Sequence, residues 1–233
     1  DKTGKLKVHT TKAASAVITA SYGPVVQNVT VTVADGRFWY SLGNGLGNGL
    51  DNNWYLDGNN ASVVSSDGNK TTVQMGSGYR GDLWLARSGK GKIVNVTPAD
   101  YRYFAIKVGF KSQLVPGKNK PNGCIKLEIF DDGIKKIGPE YFGTGGDANN
   151  RYEILGASEI STTEPNVLYY DLQSKYKTVT PTDWNQVFDL VQCKFVIADF
   201  PETAQTYDLY WIRSFKSIEE LQAFVDSENN TNE

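Results

Sequence analysis

The sequence predicts an all-β protein, an antiparallel two-sheet β-sandwich or jelly roll that ends in a short C-terminal helix. More than a dozen short apolar or alternating segments follow one another, separated by turns rich in Gly, Asn and Asp. Long amphipathic helices do not alternate with these segments, which argues against an α/β fold. A length of 233 residues is normal for one large β-sandwich.

The first half of the chain supplies strands joined by hairpin turns. Strands are expected in the segments 6–10, 16–22, 27–34, 37–42, 54–57, 62–65, 70–75, 82–87, 92–96 and 103–110. Turn signals at Asp35-Gly36 and Asp67-Gly68-Asn69 predict hairpins between the strands that flank them. Strands 82–87 and 92–96 are expected to pair around a Gly-rich turn.

The second half supplies further strands and the helix. Strands are expected at 125–130, 134–137, 152–156, 166–172, 190–199 and 207–215. The last two are apolar on both faces, which predicts a hairpin in the middle of the two layers. The same pattern assigns Tyr210 and Trp211 to the core and not to a ligand platform. Ser217 as N-cap and Glu220 three residues later predict a capping box. The helical face that follows consists of Ile218, Leu221, Phe224 and Val225.

Composition and single residues exclude several classes of protein. A net charge of -2 argues against nucleic acid as a partner, and no apolar run is long enough to span a bilayer. The polar residues 1–4 do not form a signal peptide. The single histidine, His9, excludes multi-histidine zinc sites and is interpreted as a solvent-facing strand residue. Cys124 and Cys193 are interpreted as small buried hydrophobic residues or as one disulfide.

An enzymatic role finds little support in the sequence. Glycoside hydrolysis needs two carboxylates that face each other across a cleft, and the acidic residues form no recognisable local arrangement. The phosphate-binding loop and the G-x-S-x-G nucleophile elbow are both absent from the sequence.

Aromatic residues are the strongest pointer to a ligand. The chain has 13 Tyr, 10 Phe and 5 Trp, and strand alternation places Trp39, Tyr55 and Trp84 opposite their apolar neighbours. Asp82 shares the outward face of Trp84. Flat aromatic faces stack on sugar rings, and neighbouring polar groups bind hydroxyls. These four residues, with Tyr141 in the Gly- and Asn-rich loop 138–151, are therefore the candidate ligand-binding residues. The alternative, that each ring packs under a loop or on the second sheet, stays open.

Asp208 is the candidate metal ligand. It lies inside an otherwise apolar strand, so its carboxylate needs a partner. Calcium takes oxygen ligands from carboxylates and loop carbonyls, and loop 43–53 can supply the latter. The alternative, a hydrogen-bonding partner or Arg213, is favoured because no calcium-loop motif occurs.

Three segments resemble a known kind of protein. Residues 208–217, Asp-Leu-Tyr-Trp-Ile-Arg-Ser-Phe-Lys-Ser, resemble the closing strand of galactose-binding-like jelly rolls, and 103–108 is similar to a central strand of the same modules. Residues 5–15 are similar to the last strand of the immunoglobulin-like repeats that precede them. Together they resemble the C-terminal glycan-binding domain of surface lipoproteins from Bacteroidetes polysaccharide-utilisation systems.

The resemblance implies a function and a domain organisation. It implies extracellular polysaccharide or oligosaccharide binding without catalysis, an aromatic platform, and a structural calcium near Asp208. It also implies an outer-membrane lipoprotein, with its anchor outside this sequence, that works with an outer-membrane transporter complex. With a composition break near Gly23-Pro24, we expect residues 1–30 to be tail strands of a preceding immunoglobulin-like domain plus a linker, and 31–233 to be the β-sandwich. The alternatives are a secreted glycoside hydrolase or polysaccharide lyase and a structural or adhesin module without sugar binding.

Overall fold

A computed structural model of the chain describes residues 14–33, 36–47, 52–57, 61–75, 80–86, 94–96, 99–111, 124–131, 152–173, 188–198 and 205–230. The elements in these ranges are the strands Ala14–Tyr22 (β1), Val25–Val33 (β2), Trp39–Ser41 (β3), Tyr55–Asp57 (β4), Ser62–Ser66 (β5), Thr71–Gln74 (β6), Arg80–Ala86 (β7), Val94–Val96 (β8), Tyr103–Phe110 (β9), Cys124–Asp131 (β10), Glu153–Ile154 (β11), Asn166–Asp171 (β12), Phe188–Ala198 (β13) and Thr206–Phe215 (β14), and the helix Ile218–Asn230 (α1). The predicted all-β class with a short C-terminal helix is confirmed. The expected strands 6–10 and 134–137, with His9, lie outside the described residues.

The larger sheet has seven strands and is organised around β14. Strand β9 pairs with one edge of β14, and β12 and β11 continue the sheet beyond β9. On the other edge, β6 pairs with the first half of β14 and β3 with the second half, and β5 lies beyond β6. All of these pairs are antiparallel, so β14 is a central strand along its length.

The smaller sheet has five strands and is organised around β13. Strand β10 pairs with one edge of β13, while β7 and β8 share the other edge. Strand β4 pairs with β7 at the outside. The two sheets give the sandwich-like arrangement that the strand pattern predicts.

The core lies between the sheets, and alternation along each strand builds it. In β9, the side chains of Phe104, Ile106, Val108 and Phe110 are all at most 2% exposed. The smaller sheet contributes inward-facing residues to the same cluster, among them Leu83, Leu85, Leu127 and Phe195. Full burial of each such side chain contributes about 1.5–3 kcal/mol to stability.

Helix α1 packs on the outer face of the larger sheet. A second apolar cluster forms there from Ala105, Val167, Trp211, Phe215 and Leu221. At the start of the helix, the Glu220 N–H donates to Ser217 Oγ at 3.2 Å, as predicted for the N-cap. The Glu220 carboxylate accepts from the backbone N–H of Lys216 at 2.7 Å, one residue before the group that a standard capping box uses.

The predicted hairpin between residues 190–199 and 207–215 is wrong. Strands β13 and β14 belong to different sheets, where each is a central strand with neighbours on both edges. Both strands contribute side chains to the core between the sheets, among them Phe195 of β13 and Leu209 of β14, so the two apolar runs reflect two separate central strands. A chain that crosses between sheets produces the same local pattern as a hairpin.

Other pairings also differ from expectation. The hairpin around Asp67-Gly68-Asn69 is confirmed by the pairing of β5 with β6. The hairpin expected at Asp35-Gly36 is wrong, because β2 pairs with β1 and β3 pairs with β14. The pair expected around residues 88–91 is also wrong, because β7 and β8 both pair with β13 instead.

The segment before the sandwich is an isolated two-stranded hairpin, β1–β2. Its turn is Gly23-Pro24, with a φ of 56° at Gly23, which suits a two-residue hairpin turn. The alternation of residues 27–34 is typical of a half-buried strand, but the described side chains of β2 are largely exposed, as at Val29 with 58%. A boundary after residue 30 would cut β2. The described structure places the change from hairpin to sandwich between Val33 and Phe38, whose side chain is 1% exposed.

Two further sequence questions are answered. Cys193 is a free, buried thiol, and burial raises its pKa well above the ordinary value. Cys124 pairs in register with Ala198, five positions along β13 from Cys193, so the two cysteines do not form a disulfide.

Within the described residues, no helix has the length and hydropathy needed to cross a membrane.

Candidate functional site

An open groove of about 640 Å³ lies on the outer face of the larger sheet, beside α1. Three strands form its floor, α1 forms one wall, and the β5–β6 turn and the segment before β12 form the rim. The residues of this helix-side groove are Lys107, Val167 and Tyr210 on the floor, Val225, Glu228 and Asn229 on the helix, and Asn69, Glu164 and Pro165 on the rim. Most of these side chains are polar, which suits a hydrophilic ligand.

A β-bulge in β14 turns Tyr210 into the groove. Leu209 pairs with Val108, and Trp211 pairs with Lys107, the next residue of β9, so Tyr210 is the extra residue. Leu209 consequently faces the core between the sheets, while Tyr210 and Trp211 both lie on the outer face. Bulges commonly redirect a side chain in this way beside functional sites.

Gly109 makes space for the Tyr210 ring. It lies on the outer face of β9 between Lys107 and Lys111, and a Cβ at Gly109 would lie 3.6 Å from Cε2 of Tyr210. Burial raises the pKa of Tyr210 further above neutral pH than its ordinary value, and its hydroxyl is therefore protonated. Because the ring is half-buried, it offers both an apolar surface and a hydroxyl to a ligand in the groove.

On one side of Tyr210, an ion pair fixes the helix to the sheet. Lys107 Nζ lies 3.1 Å from Glu228 Oε2, and Trp211 Nε1 donates to the same oxygen at 3.1 Å. Lys107 Nζ also lies 5.5 Å from the centre of the Tyr210 ring, within the range of a cation–π contact. These contacts fix the position of α1, the wall of the groove, relative to the strands that form its floor.

On the other side of Tyr210 lies the buried carboxylate of Asp208. Lys70 Nζ and Lys111 Nζ are each 2.8 Å from its Oδ2, and Thr72 Oγ1 donates to Oδ1 at 2.7 Å. Burial of the Asp208 carboxyl raises its pKa, but the hydrogen bonds from Lys111, Lys70 and Thr72 outweigh this and leave the pKa below its ordinary value. Asp208 is therefore an ionised acceptor shared by two ammonium groups.

These surroundings do not fit the expected calcium site at Asp208. Calcium needs six to eight oxygen ligands, whereas two ammonium groups and a hydroxyl donor already surround this carboxylate. Among the described residues, no group of three or more His, Cys, Asp or Glu side chains is placed to hold a metal ion. The alternative that the sequence favoured, a hydrogen-bonding partner for Asp208, is the arrangement observed. The partners are Lys70, Lys111 and Thr72, and Arg213 is not among them.

Three of the candidate ligand residues meet on the outer face of the smaller sheet. Trp84 pairs in register with Tyr55, and Asp82 lies two residues before Trp84 on the same face, as alternation predicts. However, Asp82 is only 6% exposed and Trp84 only 8%. Lys194 Nζ lies 3.1 Å from Asp82 Oδ2 and 4.4 Å from the centre of the Trp84 ring. Asp82 and Trp84 thus surround a buried cation, and Trp84 is not an exposed platform.

Trp39 lies on the opposite side of the molecule, on the outer face of the larger sheet. Trp39 is 42% exposed, but the guanidinium carbons of Arg37 and Arg213 lie 4.0 and 4.3 Å from the centre of its ring. Phe215 and Phe224 contact it edge-on. Contacts with two guanidinium groups and two aromatic rings therefore leave less of the Trp39 ring open to a ligand. Tyr141, the fifth candidate, lies outside the described residues.

Sequence reasoning assigned Tyr210 to the core and missed its place in the groove. Trp211, with 3% exposure, is buried as expected, whereas Tyr210 is half-buried and lines the groove. The only signal in the sequence is the adjacent pair Tyr210-Trp211, which breaks strand alternation. Lys107, Glu228 and Asn229 carry no such signal, because the packing of α1 on the sheet creates their grouping.

Comparison with known families gives one match. Residues 45–221, more than half of the chain, match the family described as Domain of unknown function (DUF4979). The match includes Lys107, Asp208 and Tyr210 and excludes the β1–β2 hairpin and the short strand β3. Comparison with curated proteins and with solved structures finds no match.

Proposed function

Since the chain belongs to the DUF4979 family, whose function is unknown, we propose a function from the geometry of the groove: non-catalytic capture of a polysaccharide. The observation that carries the proposal is the half-buried Tyr210 ring on the floor of an open, polar groove of about 640 Å³. A sugar ring offers an apolar C–H face to an aromatic ring and hydroxyls to polar neighbours. The helix-side groove supplies both kinds of partner.

The polar residues of the groove suit hydroxyl recognition. Asn69 in the β5–β6 turn and Asn229 on α1 are exposed amides that line the groove, and each can donate and accept hydrogen bonds. Glu164 adds an exposed acceptor on the rim. An open groove, unlike a closed pocket, accommodates one stretch of a longer chain, which supports a polysaccharide over a small metabolite.

The proposal is of binding without catalysis. The groove contains two carboxylates, and that of Glu228 is engaged by Lys107 and by the Trp211 indole N–H. A glycosidase pair would instead need one carboxyl free to protonate the leaving oxygen and another facing it across the sugar. A place at a bacterial cell surface, in a lipoprotein that works with an outer-membrane transporter, is part of the proposal and rests on the sequence resemblance.

Replacement of Tyr210 tests the groove. In affinity electrophoresis against neutral and acidic plant, algal and host polysaccharides, the wild-type chain is expected to be retained by at least one of them. Tyr210→Ala should weaken that retention about tenfold, which corresponds to a stacking contact of roughly 1.4 kcal/mol. Tyr22→Ala, which changes a tyrosine that is 90% exposed on the hairpin, is the matched control and should bind like the wild type.

Three results would contradict the proposal. Absence of retention by every polysaccharide would remove glycan binding. Equal retention of wild type and Tyr210→Ala, with thermal unfolding unchanged, would move binding away from this groove. Release of reducing sugar or of unsaturated products from the same panel would replace binding by catalysis.

A further inference from the structure

A row of cations borders the Tyr210 ring. Lys107 lies on the outer face of β9, and Lys111 follows the last residue of that strand. Gly109 lies between these two lysines and beside the Tyr210 ring. Lys70, from the β5–β6 turn, meets Lys111 at the Asp208 carboxylate. Gly109 also lies beside Asp208, since a Cβ there would be 3.5 Å from Asp208 Cβ. Tyr210 is therefore an immediate neighbour of the cluster formed by Asp208, Lys70 and Lys111, called the Asp208 cluster below.

The two ends of this row differ in charge balance. Lys107 is matched by one carboxylate, that of Glu228, at 3.1 Å. Lys70 and Lys111 share the single carboxylate of Asp208, both at 2.8 Å from the same oxygen. The Asp208 cluster thus holds two ammonium groups and one buried carboxylate, which leaves one positive charge in excess.

The two ammonium groups keep capacity for a ligand. An ammonium group has three N–H donors, and among the described residues the Asp208 carboxylate is the partner of each through one contact. The side chain of Lys111 is 54% exposed and that of Lys70 is 31% exposed. Asp67 lies in the same turn as Lys70, but its Oδ1 accepts the backbone N–H groups of Asn69 and Lys70. Its carboxylate is fully exposed, so water screens its charge.

We propose that the polysaccharide bound in the helix-side groove is acidic, with a carboxylate or sulfate group held between Lys70 and Lys111 while a sugar ring stacks on Tyr210. This inference rests on the proposed glycan-binding function and names its substrate class. Lys111 is two residues from Gly109, roughly 6.6 Å along the strand, which places the anion about one sugar residue from the stacked ring. Charge-assisted hydrogen bonds from two ammonium groups select an anionic sugar over a neutral one.

Removal of one ammonium group tests the inference. The probes are polygalacturonate (carboxylate), chondroitin sulfate (carboxylate and sulfate), and amylopectin and xylan with little charge, in affinity electrophoresis of the whole chain. The wild type should be retained most strongly by an acidic probe, and Lys111→Gln should weaken that retention about tenfold. Added sodium chloride should weaken it too, because salt screens exposed charges. Lys111→Arg should restore retention, since it keeps the charge.

The controls separate this inference from the proposed function. Lys216→Gln changes an exposed lysine outside the groove and should leave retention unchanged. Thermal unfolding of Lys111→Gln should match the wild type, because Lys70 and Thr72 still hold Asp208; Lys70→Gln is the second variant if it does not. Retention by polygalacturonate but not by a carboxyl-reduced chondroitin sulfate identifies the carboxylate as the group bound, and the reverse identifies the sulfate.

Each remaining outcome has one meaning. Retention by amylopectin or xylan that depends on Tyr210 but not on Lys70 or Lys111 would overturn the acidic substrate and leave glycan binding intact. If none of the four probes retains the protein, the proposal of an acidic substrate is overturned. The proposal of glycan binding is overturned only if no polysaccharide of the wider panel retains the protein either.

Discussion

Asp208 shows how one buried charge depends on residues that are far apart in the sequence. Its carboxylate is 2% exposed and receives hydrogen bonds from Lys70, Thr72 and Lys111, which come from two other strands and their ends. A buried carboxylate without such donors would be strongly destabilising. The three donors therefore join β6, β9 and β14 at one end of the larger sheet.

Replacement of Asp208 by Asn should destabilise the fold. The change keeps the size of the side chain but removes the charge that both ammonium groups share, so we expect a loss of roughly 2 kcal/mol in the free energy of unfolding at pH 7. Urea unfolding monitored by tryptophan fluorescence measures it. Asp226→Asn, on the exposed face of α1, is the control and should change stability by less than about 0.5 kcal/mol.

The same pair of proteins should show a defined pH dependence. The pKa of Asp208 is lowered in the folded state, so its contribution is complete above the unfolded-state pKa of about 3.9 and is lost as pH falls through the lower folded-state pKa. The difference in stability between wild type and Asp208→Asn should thus be constant from pH 7 to about pH 5 and shrink in more acidic solution. A difference that stays constant under strongly acidic conditions would contradict this assignment.

Strand β14 and helix α1 together build the groove. The bulge at Tyr210 places two adjacent aromatic side chains on the outer face, where Trp211 packs against α1 and Tyr210 borders the opening. The Trp211 indole N–H then anchors Glu228 in the last turns of the helix. The position of the helical wall consequently depends on both ends of α1, on its N-cap and on this anchor.

Ser217→Ala should weaken the N-terminal end of the helix. The Ser217 hydroxyl oxygen accepts the N–H of Glu220 at 3.2 Å, and loss of an N-cap costs about 1 kcal/mol. The free energy of unfolding from urea titration measures this loss. Ser62→Ala, at an exposed position of β5, is the control, and equal stability of the two variants would show that the Ser217 hydroxyl does not stabilise the helix.

The hairpin and the sandwich form separate parts of the described structure. Strands β1 and β2 pair only with each other, and the hairpin shares no sheet with the other described strands. Large apolar side chains on it are exposed, as at Val17 with 63% and Tyr22 with 90%. The family match, from residue 45, also leaves the hairpin out.

Deletion of residues 1–35 should leave the sandwich folded. Because the described hairpin residues bury little surface, the cooperative thermal transition of residues 36–233 should occur within a few degrees of that of the full chain. Circular dichroism during heating measures it, and retention on the polysaccharide that the full chain binds should also be kept. Loss of a cooperative transition would show that residues 1–35 belong to the sandwich.

Local periodicity was enough to predict much of the fold. The expected strand at 103–110 has the observed bounds, and the faces assigned to Trp39, Tyr55 and Trp84 agree with the structure. These predictions succeed because successive side chains of a strand point to opposite faces, whatever the strand pairs with. The N-cap at Ser217 is local in the same sense, since it depends on residues three positions apart.

Pairing, exposure and charge partners needed the folded chain. Alternation could not show that β13 and β14 belong to different sheets, that Trp84 is covered, or that Lys70 and Lys111 converge on Asp208. Nor could it show that a bulge brings Tyr210 into a groove beside α1. The amino-acid sequence specified the faces of residues in regular strands, because alternation depends on immediate neighbours. Contacts between distant segments specified the bulge at Tyr210 and the groove, because strand register and helix packing are set only when those segments meet.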